Sequence, residues 1–219
     1  MAKSYHTFLT NLLKNMTKIK ICGLRDIAHA QIATQAGADD IGLVFYTKSP
    51  RHVDIGIARN ICLALPPFVN RVGLFVNAEP DQLETILEKV PLSLLQFHGD
   101  EDNAMCQQFG MPFIKALRVQ EGMNIEAEMA RFPDACGFLL DAYHPEHYGG
   151  SGVCFDWQQF PHSAEQPIIL AGGLTPDNVG EAVSTLKPYA VDVSSGVERE
   201  KGVKDATKIR SFCAAAKES

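Results

Sequence analysis

The chain has 219 residues, 46% of them hydrophobic, and a formal net charge of −6. These values suit one sizeable domain with a buried core. Without a long basic tract, neither nucleic acid nor an anionic membrane is expected as a partner, and no apolar run reaches the length of a membrane span. Six scattered cysteines without zinc spacing predict reduced thiols in a cytoplasmic protein.

Residues 1–17 precede the first predicted strand and are interpreted as an N-terminal extension. Polar residues interrupt its apolar residues, and no small-residue cleavage site follows. It is either a short amphipathic extension or the product of an upstream start codon, since Met16 lies directly before the first strand. We assign it no function and expect residues 18–219 to form the single folded domain.

Short apolar runs, rich in branched residues, alternate with helical stretches from Lys18 to the end of the chain. The eight predicted strands are Ile19–Cys22, Ile41–Phe45, Arg71–Val76, Ser93–His98, Phe113–Arg118, Gly137–Asp141, Ile168–Ala171 and Ala190–Ser194. The intervening helices are predicted at Asp26–Gly37, Asp54–Leu65, Pro80–Lys89, Glu101–Phe109, Met123–Arg131, Phe155–Phe160, Pro176–Leu186 and Lys204–Ala216.

This strict alternation implies right-handed βαβ units and a parallel sheet. Eight βα units in about 200 residues are typical of one particular α/β fold, the single (β/α)₈ TIM barrel. An open doubly wound sheet is the alternative. The near-equal units, without a break in composition, favour the closed form.

Alternate residues of each strand face the interior of a barrel. If Cys22 faces the axis at the end of strand one, Lys20 shares its face, and Asp192 faces the axis from strand eight. Those two strands are neighbours in a closed barrel, and a buried charge is costly unless it is paired. We therefore predict a buried ion pair between Lys20 and Asp192, with Gln96 in the same polar layer.

Glycine-rich loops follow strands six, seven and eight. Barrel active sites lie at the C-terminal ends of the strands, and the loops after strands seven and eight commonly bind phosphate. Glycine lets backbone N–H groups approach an anion, and serine hydroxyls add donors. Each loop alone could simply make a tight turn, but three in succession favour a phosphate site. The predicted phosphate-binding residues are Gly149, Gly150, Gly172, Gly173, Ser194, Ser195 and Gly196.

Cys22 and Asp141 end strands one and six and could form an acid–base pair across the barrel mouth. A free thiol has a pKa of about 8.5, and positive charge from Lys20 or Arg25 would increase its thiolate fraction. An aspartic acid must keep its proton to act as a general acid. The alternatives are a buried apolar role for Cys22 and a helix cap or loop salt bridge for Asp141.

Arg51 follows Ser49 and Pro50 in the loop after strand two. An arginine fork there could bind a substrate carboxylate with two hydrogen bonds, although a solvated loop charge is the alternative. His144 and His147 form an HxxH pair that we interpret as a surface pair, because no third ligand is in view. We therefore expect no metal site.

Together these residues resemble the phosphoribosylanthranilate isomerase family of tryptophan biosynthesis, over nearly the whole chain from Lys18 onward. The matching motifs are KICGL at Lys20–Leu24, GLVF at Gly42–Phe45, SPR at Ser49–Arg51, VGLFVN at Val72–Asn77, QFHG at Gln96–Gly99, LLD at Leu139–Asp141, GGSG at Gly149–Gly152, FDW at Phe155–Trp157, LAGGL at Leu170–Leu174 and DVSSGVE at Asp192–Glu198.

The resemblance implies an Amadori rearrangement of N-(5-phosphoribosyl)anthranilate by an enzyme without a cofactor. It implies Cys22 as general base, Asp141 as general acid and Arg51 as partner of the anthranilate carboxylate. Gly173, Ser195 and Gly196 would lie in the phosphate site. Whether the protein is a monomer or a homodimer stays open. Three alternatives remain: a histidine-pathway isomerase, a non-catalytic metabolite sensor and a redox-sensing thiol at Cys22.

Overall fold

The computed structural model describes residues 17–142 and 157–219. Eight parallel strands close into a barrel in chain order, which confirms the predicted TIM barrel. The strands are β1 (Lys18–Cys22), β2 (Asp40–Val44), β3 (Asn70–Phe75), β4 (Leu94–Phe97), β5 (Phe113–Val119), β6 (Phe138–Ala142), β7 (Ile168–Leu170) and β8 (Ala190–Val193). The α-helices of the described residues are α1 (Ile27–Ala36), α2 (Ile55–Ala64), α3 (Pro80–Lys89), α4 (Asn103–Gln107), α5 (Ile125–Met129), α6 (Val179–Leu186) and α7 (Ala206–Lys217).

The first helix shows how local sequence sets these boundaries. The carboxylate of Asp26 accepts a hydrogen bond from the backbone N–H of His29 at 2.8 Å, which caps the start of α1 as predicted. Gly37 ends the helix with φ +98°, a left-handed conformation that glycine adopts without steric cost. These two residues therefore fix where the chain turns back towards β2.

The barrel wall separates two apolar layers. Outward residues of the strands, such as Ile19, Leu95 and Val191, pack in the large core that includes the helices. A smaller cluster fills the inside of the barrel; it contains Ile114, Ala116, Leu139, Ile169, Ala171 and Ala190. This alternation matches the predicted strand faces.

Three helical predictions need correction. Helix α6 begins at Val179 because a turn occupies residues 176–178, where the Thr175 hydroxyl accepts from the Asp177 N–H. The helix predicted at Phe155–Phe160 is only a 3₁₀ turn at Trp157–Gln159 within the described residues.

Lys204 was predicted to begin a helix, and this was wrong. It lies in β10 (Val203–Lys204), which pairs antiparallel with β9 (Glu198–Glu200) in a short hairpin. Asp205 then caps α7 by accepting from two backbone N–H groups. The hairpin places Lys204 beside the barrel mouth, where it takes part in the site described below.

The proposed boundary between an N-terminal extension and the domain stays a prediction, since residues 1–16 lie outside the described part of the chain. Among the residues that the structure describes, no helix combines the length and apolar character needed to cross a membrane. Cys62, Cys106 and Cys213 are buried free thiols in the core.

Candidate active site

The C-terminal ends of the strands surround a small cavity at the mouth of the barrel. Its lining residues are Cys22, Val44, Tyr46, Ser49, Arg51, Leu74, Val76, Gln96, His98, Asp141, Asp192 and Ser194. Cys22 and Asp141 come from distant segments, yet both line this one cavity. Arg51 and Ser194 join them, so four of the predicted site residues meet at the barrel mouth.

The environment of Cys22 combines burial with nearby positive charge. The residue is 4% exposed. Burial raises the pKa of its thiol, and the ammonium groups of Lys20 and Lys204 oppose that rise without cancelling it. Without a ligand, the Cys22 thiol is therefore a weaker acid than an ordinary cysteine, and the two neighbouring cations are placed to stabilise its thiolate.

The predicted ion pair below Cys22 is confirmed. Nζ of Lys20 lies 2.7 Å from Oδ1 of Asp192, and both side chains are buried. Burial lowers the pKa of Lys20, but the charges of Asp192 and of Cys22 outweigh it and raise the pKa. Lys20 thus stays charged and holds its ammonium group beside the thiol.

Gly42 provides the space for this arrangement. A Cβ atom there would lie 2.8 Å from Sγ of Cys22 and 3.0 Å from Nζ of Lys20. Any side chain at position 42 would therefore collide with both groups and displace them. This steric limit explains why the GLVF motif has a glycine at that position.

The carboxylate of Asp141 lies beside the imidazole of His98, the residue that follows β4. Nε2 of His98 lies 3.3 Å from Oδ2 of Asp141, but the two groups are not aligned as a hydrogen bond. The other ring nitrogen, Nδ1, lies 3.0 Å from Nε2 of Gln96. With the amide assigned as donor to Nδ1, Nε2 is the ring nitrogen that carries a hydrogen and faces the carboxylate.

Arg51 is buried, so its interpretation as a solvated loop charge is wrong. Its Nε and Nη2 atoms donate to the two carboxylate oxygens of Glu198 at 2.7 and 2.9 Å. Lys204 donates to the same carboxylate at 2.9 Å. Burial raises the pKa of Glu198, but Arg51 and Lys204 outweigh it and hold the pKa below its ordinary value. Neither Glu198 nor Lys204 was among the predicted site residues.

The predicted phosphate loops meet at the rim. Gly172 and Gly173 both have positive φ, +78° and +68°, and a Cβ on Gly196 would clash with the backbone carbonyl of Leu174. The loops after β7 and β8 therefore touch, as a shared anion cradle requires.

The predicted phosphate-binding residues differ in the contacts that they already make. The hydroxyl of Ser194 donates to the Cys22 carbonyl at 3.2 Å and accepts from Lys204 at 3.3 Å, so it is already engaged. Ser195 begins a 3₁₀ turn beside Gly196. Gly149 and Gly150 lie outside the described residues.

The histidines of the HxxH pair, His144 and His147, also lie outside the described part of the chain. Within residues 17–142 and 157–219, no group of three or more His, Cys, Asp or Glu side chains has the arrangement of a metal site. Arg25, one expected source of charge for Cys22, donates instead to the Pro50 carbonyl at 3.1 Å. Lys204, and not Arg25, supplies the second positive charge that lowers the pKa of the Cys22 thiol.

Comparison with known proteins adds to this geometry. A family model described as N-(5'phosphoribosyl)anthranilate (PRA) isomerase matches residues 19–215. The chain belongs to the PRA isomerase family. A curated relative from Pseudomonas aeruginosa (strain LESB58), named N-(5'-phosphoribosyl)anthranilate isomerase, is 56% identical over 195 residues, which are 89% of this chain and 92% of the relative.

Solved structures of the PRA isomerase family have the same fold. The phosphoribosyl anthranilate isomerase of Thermotoga maritima is 38% identical, with a TM-score of 0.85 over 93% of this chain and 100% of that one. A second structure, in complex with reduced 1-(o-carboxyphenylamino)-1-deoxyribulose 5-phosphate, is 36% identical, with a TM-score of 0.82 over the same shares. The expectation of an isomerase from this family is thereby confirmed.

Proposed function

We propose that this PRA isomerase converts N-(5'-phosphoribosyl)anthranilate into 1-(2-carboxyphenylamino)-1-deoxyribulose 5-phosphate, with Cys22 as general base and Asp141 as general acid. The observation that carries the assignment is that both side chains line one cavity. Family membership supports the substrate, and the cavity supplies a surface for each of its parts.

The cavity wall suits an aromatic acid. Val44, Leu74 and Val76 form an apolar cluster with Cys22, and Tyr46 packs against it. The anthranilate ring packs on this surface, which places its carboxylate at Arg51. A charge-assisted pair with a guanidinium fork then fixes the orientation of the ring.

The phosphate occupies the opposite rim. Gly172, Gly173, Ser195 and Gly196 supply backbone N–H groups at the contact between the loops after β7 and β8, with Gly149 and Gly150 as further proposed contacts. Anchoring both ends of the substrate holds its ribose between the acid and the base. Such positioning contributes several kcal/mol to catalysis, within the range of about 7–11 kcal/mol known for oriented reactants.

The reaction then needs two proton transfers. Asp141 gives its proton to the furanose ring oxygen as the C1–O bond breaks, and the nitrogen lone pair forms the C1=N bond, which opens the ring to a protonated imine. The Cys22 thiolate takes the proton from C2, and the resulting enolamine tautomerises to the ketone product. Electrons move only within the substrate, so the isomerisation involves no net oxidation and no cofactor is proposed.

The direct test follows the fluorescence of phosphoribosylanthranilate as it disappears. Cys22→Ser is expected to lower kcat by about 10²–10⁴-fold, the usual contribution of a general base, while the reduced product analogue still binds. Cys136→Ser is the matched control, since that thiol is exposed and does not line the cavity. A near-normal rate in Cys22→Ser contradicts the proposed base.

The same assay separates the alternatives. A metabolite sensor binds phosphoribosylanthranilate or its analogue without turnover, and a histidine-pathway isomerase turns over only that pathway's aminoaldose. A redox thiol needs a resolving partner, and Cys22 has no second cysteine in the lining of the cavity among the described residues. Turnover of phosphoribosylanthranilate by the wild type would therefore support the proposed reaction over these three alternatives.

Assembly and location stay predictions: a monomer or homodimer in the cytoplasm, without a nucleic-acid or membrane partner. Size-exclusion chromatography with light scattering measures the assembly directly. Fractionation of cells that express the full chain measures its location.

A further inference from the structure

Arg51, Glu198 and Lys204 form a buried cluster with an unbalanced charge. Their side chains are 8%, 4% and 2% exposed, and two cations share one carboxylate. Among the described residues, neither cation has another carboxylate within 4.0 Å. A buried excess of positive charge is costly without an anion, so the cluster is complete only when a ligand supplies a second negative group.

The carboxylate of Glu198 receives four donors, which leaves it little freedom to move. Besides the two from Arg51 and the one from Lys204, the backbone N–H of Gly202 donates to Oε2 at 3.1 Å. Lys204 also donates to the Ser194 carbonyl at 2.9 Å. The hairpin formed by β9 and β10 thus clamps Glu198 from two sides.

Arg51 is held along its whole length. Its backbone N–H donates to Oγ of Ser49 at 3.1 Å, and a Cβ on Gly23 would lie 2.7 Å from Cδ of Arg51. With Nε and Nη2 occupied by Glu198, only Nη1 of the guanidinium has no hydrogen bond to a described residue. One edge of the fork is fixed and the other remains for a ligand.

We infer that Glu198 is a positioning residue that presents Arg51 to the substrate carboxylate and so determines the preference for an anthranilate over an aniline. The inference rests on the proposed function, because it assigns a partner to the Arg51 contact. Glu198 itself does not touch the reacting atoms. It acts by holding the guanidinium in one orientation, since preorganised donors bind without losing rotamer freedom.

The experiment measures two dissociation constants by titration calorimetry on the full chain. One ligand is reduced 1-(o-carboxyphenylamino)-1-deoxyribulose 5-phosphate, and the other is the same compound without the carboxyl group. Wild type is expected to prefer the first by about 10–100-fold, as a charge-assisted fork implies. Both Arg51→Met and Glu198→Gln are expected to lose most of this preference while they bind the second ligand as wild type does.

The double variant Arg51→Met/Glu198→Gln is expected to lose no more than either single variant, because both changes remove one contact. Glu101→Gln is the matched control. That glutamate is also buried and paired with a lysine, Lys115, at 2.9 Å, but it accepts its other hydrogen bonds from the backbone N–H groups of Asn77 and Gly99. It should lose stability and keep the preference for the carboxylated ligand.

If Glu198→Gln does not fold, Glu198→Asp takes its place. The aspartate keeps the charge for Lys204 but is too short to reach both Arg51 nitrogens, so the preference should still fall. A variant at 198 that folds and keeps the wild-type preference overturns the inference. Wild type that turns over phosphoribosylanthranilate without any preference overturns both this inference and the Arg51 contact, whereas wild type without turnover refutes the proposed function itself.

Discussion

The two sides of the barrel mouth are built differently. On the side of β1, β2 and β8, the charged groups are paired at short range, as in Lys20–Asp192 and Arg51–Glu198. On the side of β4 and β6, Oε1 of Gln96 and Nε2 of His98 are buried without a hydrogen-bond partner among the described residues. Such unsatisfied groups are rare in folded proteins and ask for an explanation. The ion pairs stabilise the paired side and fix its groups toward the substrate, whereas the unpaired side keeps polar atoms available at the cavity.

The largest expected effect lies on the unpaired side and concerns activity. Asp141→Asn should lower kcat by about 10²–10⁴-fold, because the amide cannot protonate the ring oxygen. The free energy of unfolding should change by less than about 1 kcal/mol, since no aligned hydrogen bond to His98 is lost. Steady-state kinetics and urea titration measure the two quantities. An Asn variant with normal turnover would remove Asp141 from the mechanism.

The largest effect on stability should lie on the paired side. Lys20→Met leaves Asp192 buried and unpaired, which should lower the free energy of unfolding by about 3–5 kcal/mol. Lys18→Met is the control on the same strand: Lys18 pairs with Asp39 at 2.8 Å, but its side chain is 50% exposed. Exposed pairs contribute about 0–1 kcal/mol. Equal losses in the two variants would contradict this account of the paired side.

The pH dependence of Cys22 alkylation sharpens the same comparison. Because burial raises the pKa of the thiol, iodoacetamide should label Cys22 with a midpoint above that of an ordinary thiol. Lys20 lowers this pKa, so Lys20→Met should move the midpoint still higher. Peptide mass mapping at a series of pH values separates Cys22 from the other cysteines. A midpoint below that of a free thiol would show that charge outweighs burial.

The smallest effect should come from Gln96→Met. The change removes the amide that contacts His98 at 3.0 Å, but it also removes a buried oxygen without a partner. These terms oppose each other, so the free energy of unfolding should change by less than about 1 kcal/mol. Thermal unfolding of the purified variant measures it. A loss as large as that of Lys20→Met would place Gln96 among the groups that secure the fold.

Much of this arrangement could be predicted because a barrel has a regular geometry. Two-residue alternation gave the inward faces of the strands, and closure placed β1 beside β8. From these two rules alone, the pairing of Lys20 with Asp192 follows. The confirmed pair shows that buried charge is a reliable guide to long-range contacts when the topology is simple.

The missed features lie where the chain departs from that regularity. The β9–β10 hairpin is too short for a strand pattern, although Lys201-Gly202 between Glu200 and Val203 is a possible turn signal. Gly202 indeed has φ +82°. Lys115 was missed for another reason: it lies on the outward face of β5, where apolar residues are expected, and pairs there with Glu101.

The distance along the chain between Lys20 and Asp192 has a consequence for biogenesis. The two residues are 172 positions apart. At ordinary elongation rates, Asp192 is therefore synthesised roughly 10–30 s after Lys20. Until β8 docks, the ammonium group of Lys20 cannot be withdrawn from water at a favourable cost. The nascent chain therefore acquires the environment of the Cys22 thiol only once the last barrel strand is in place, and products truncated before β8 should be inactive as well as unstable.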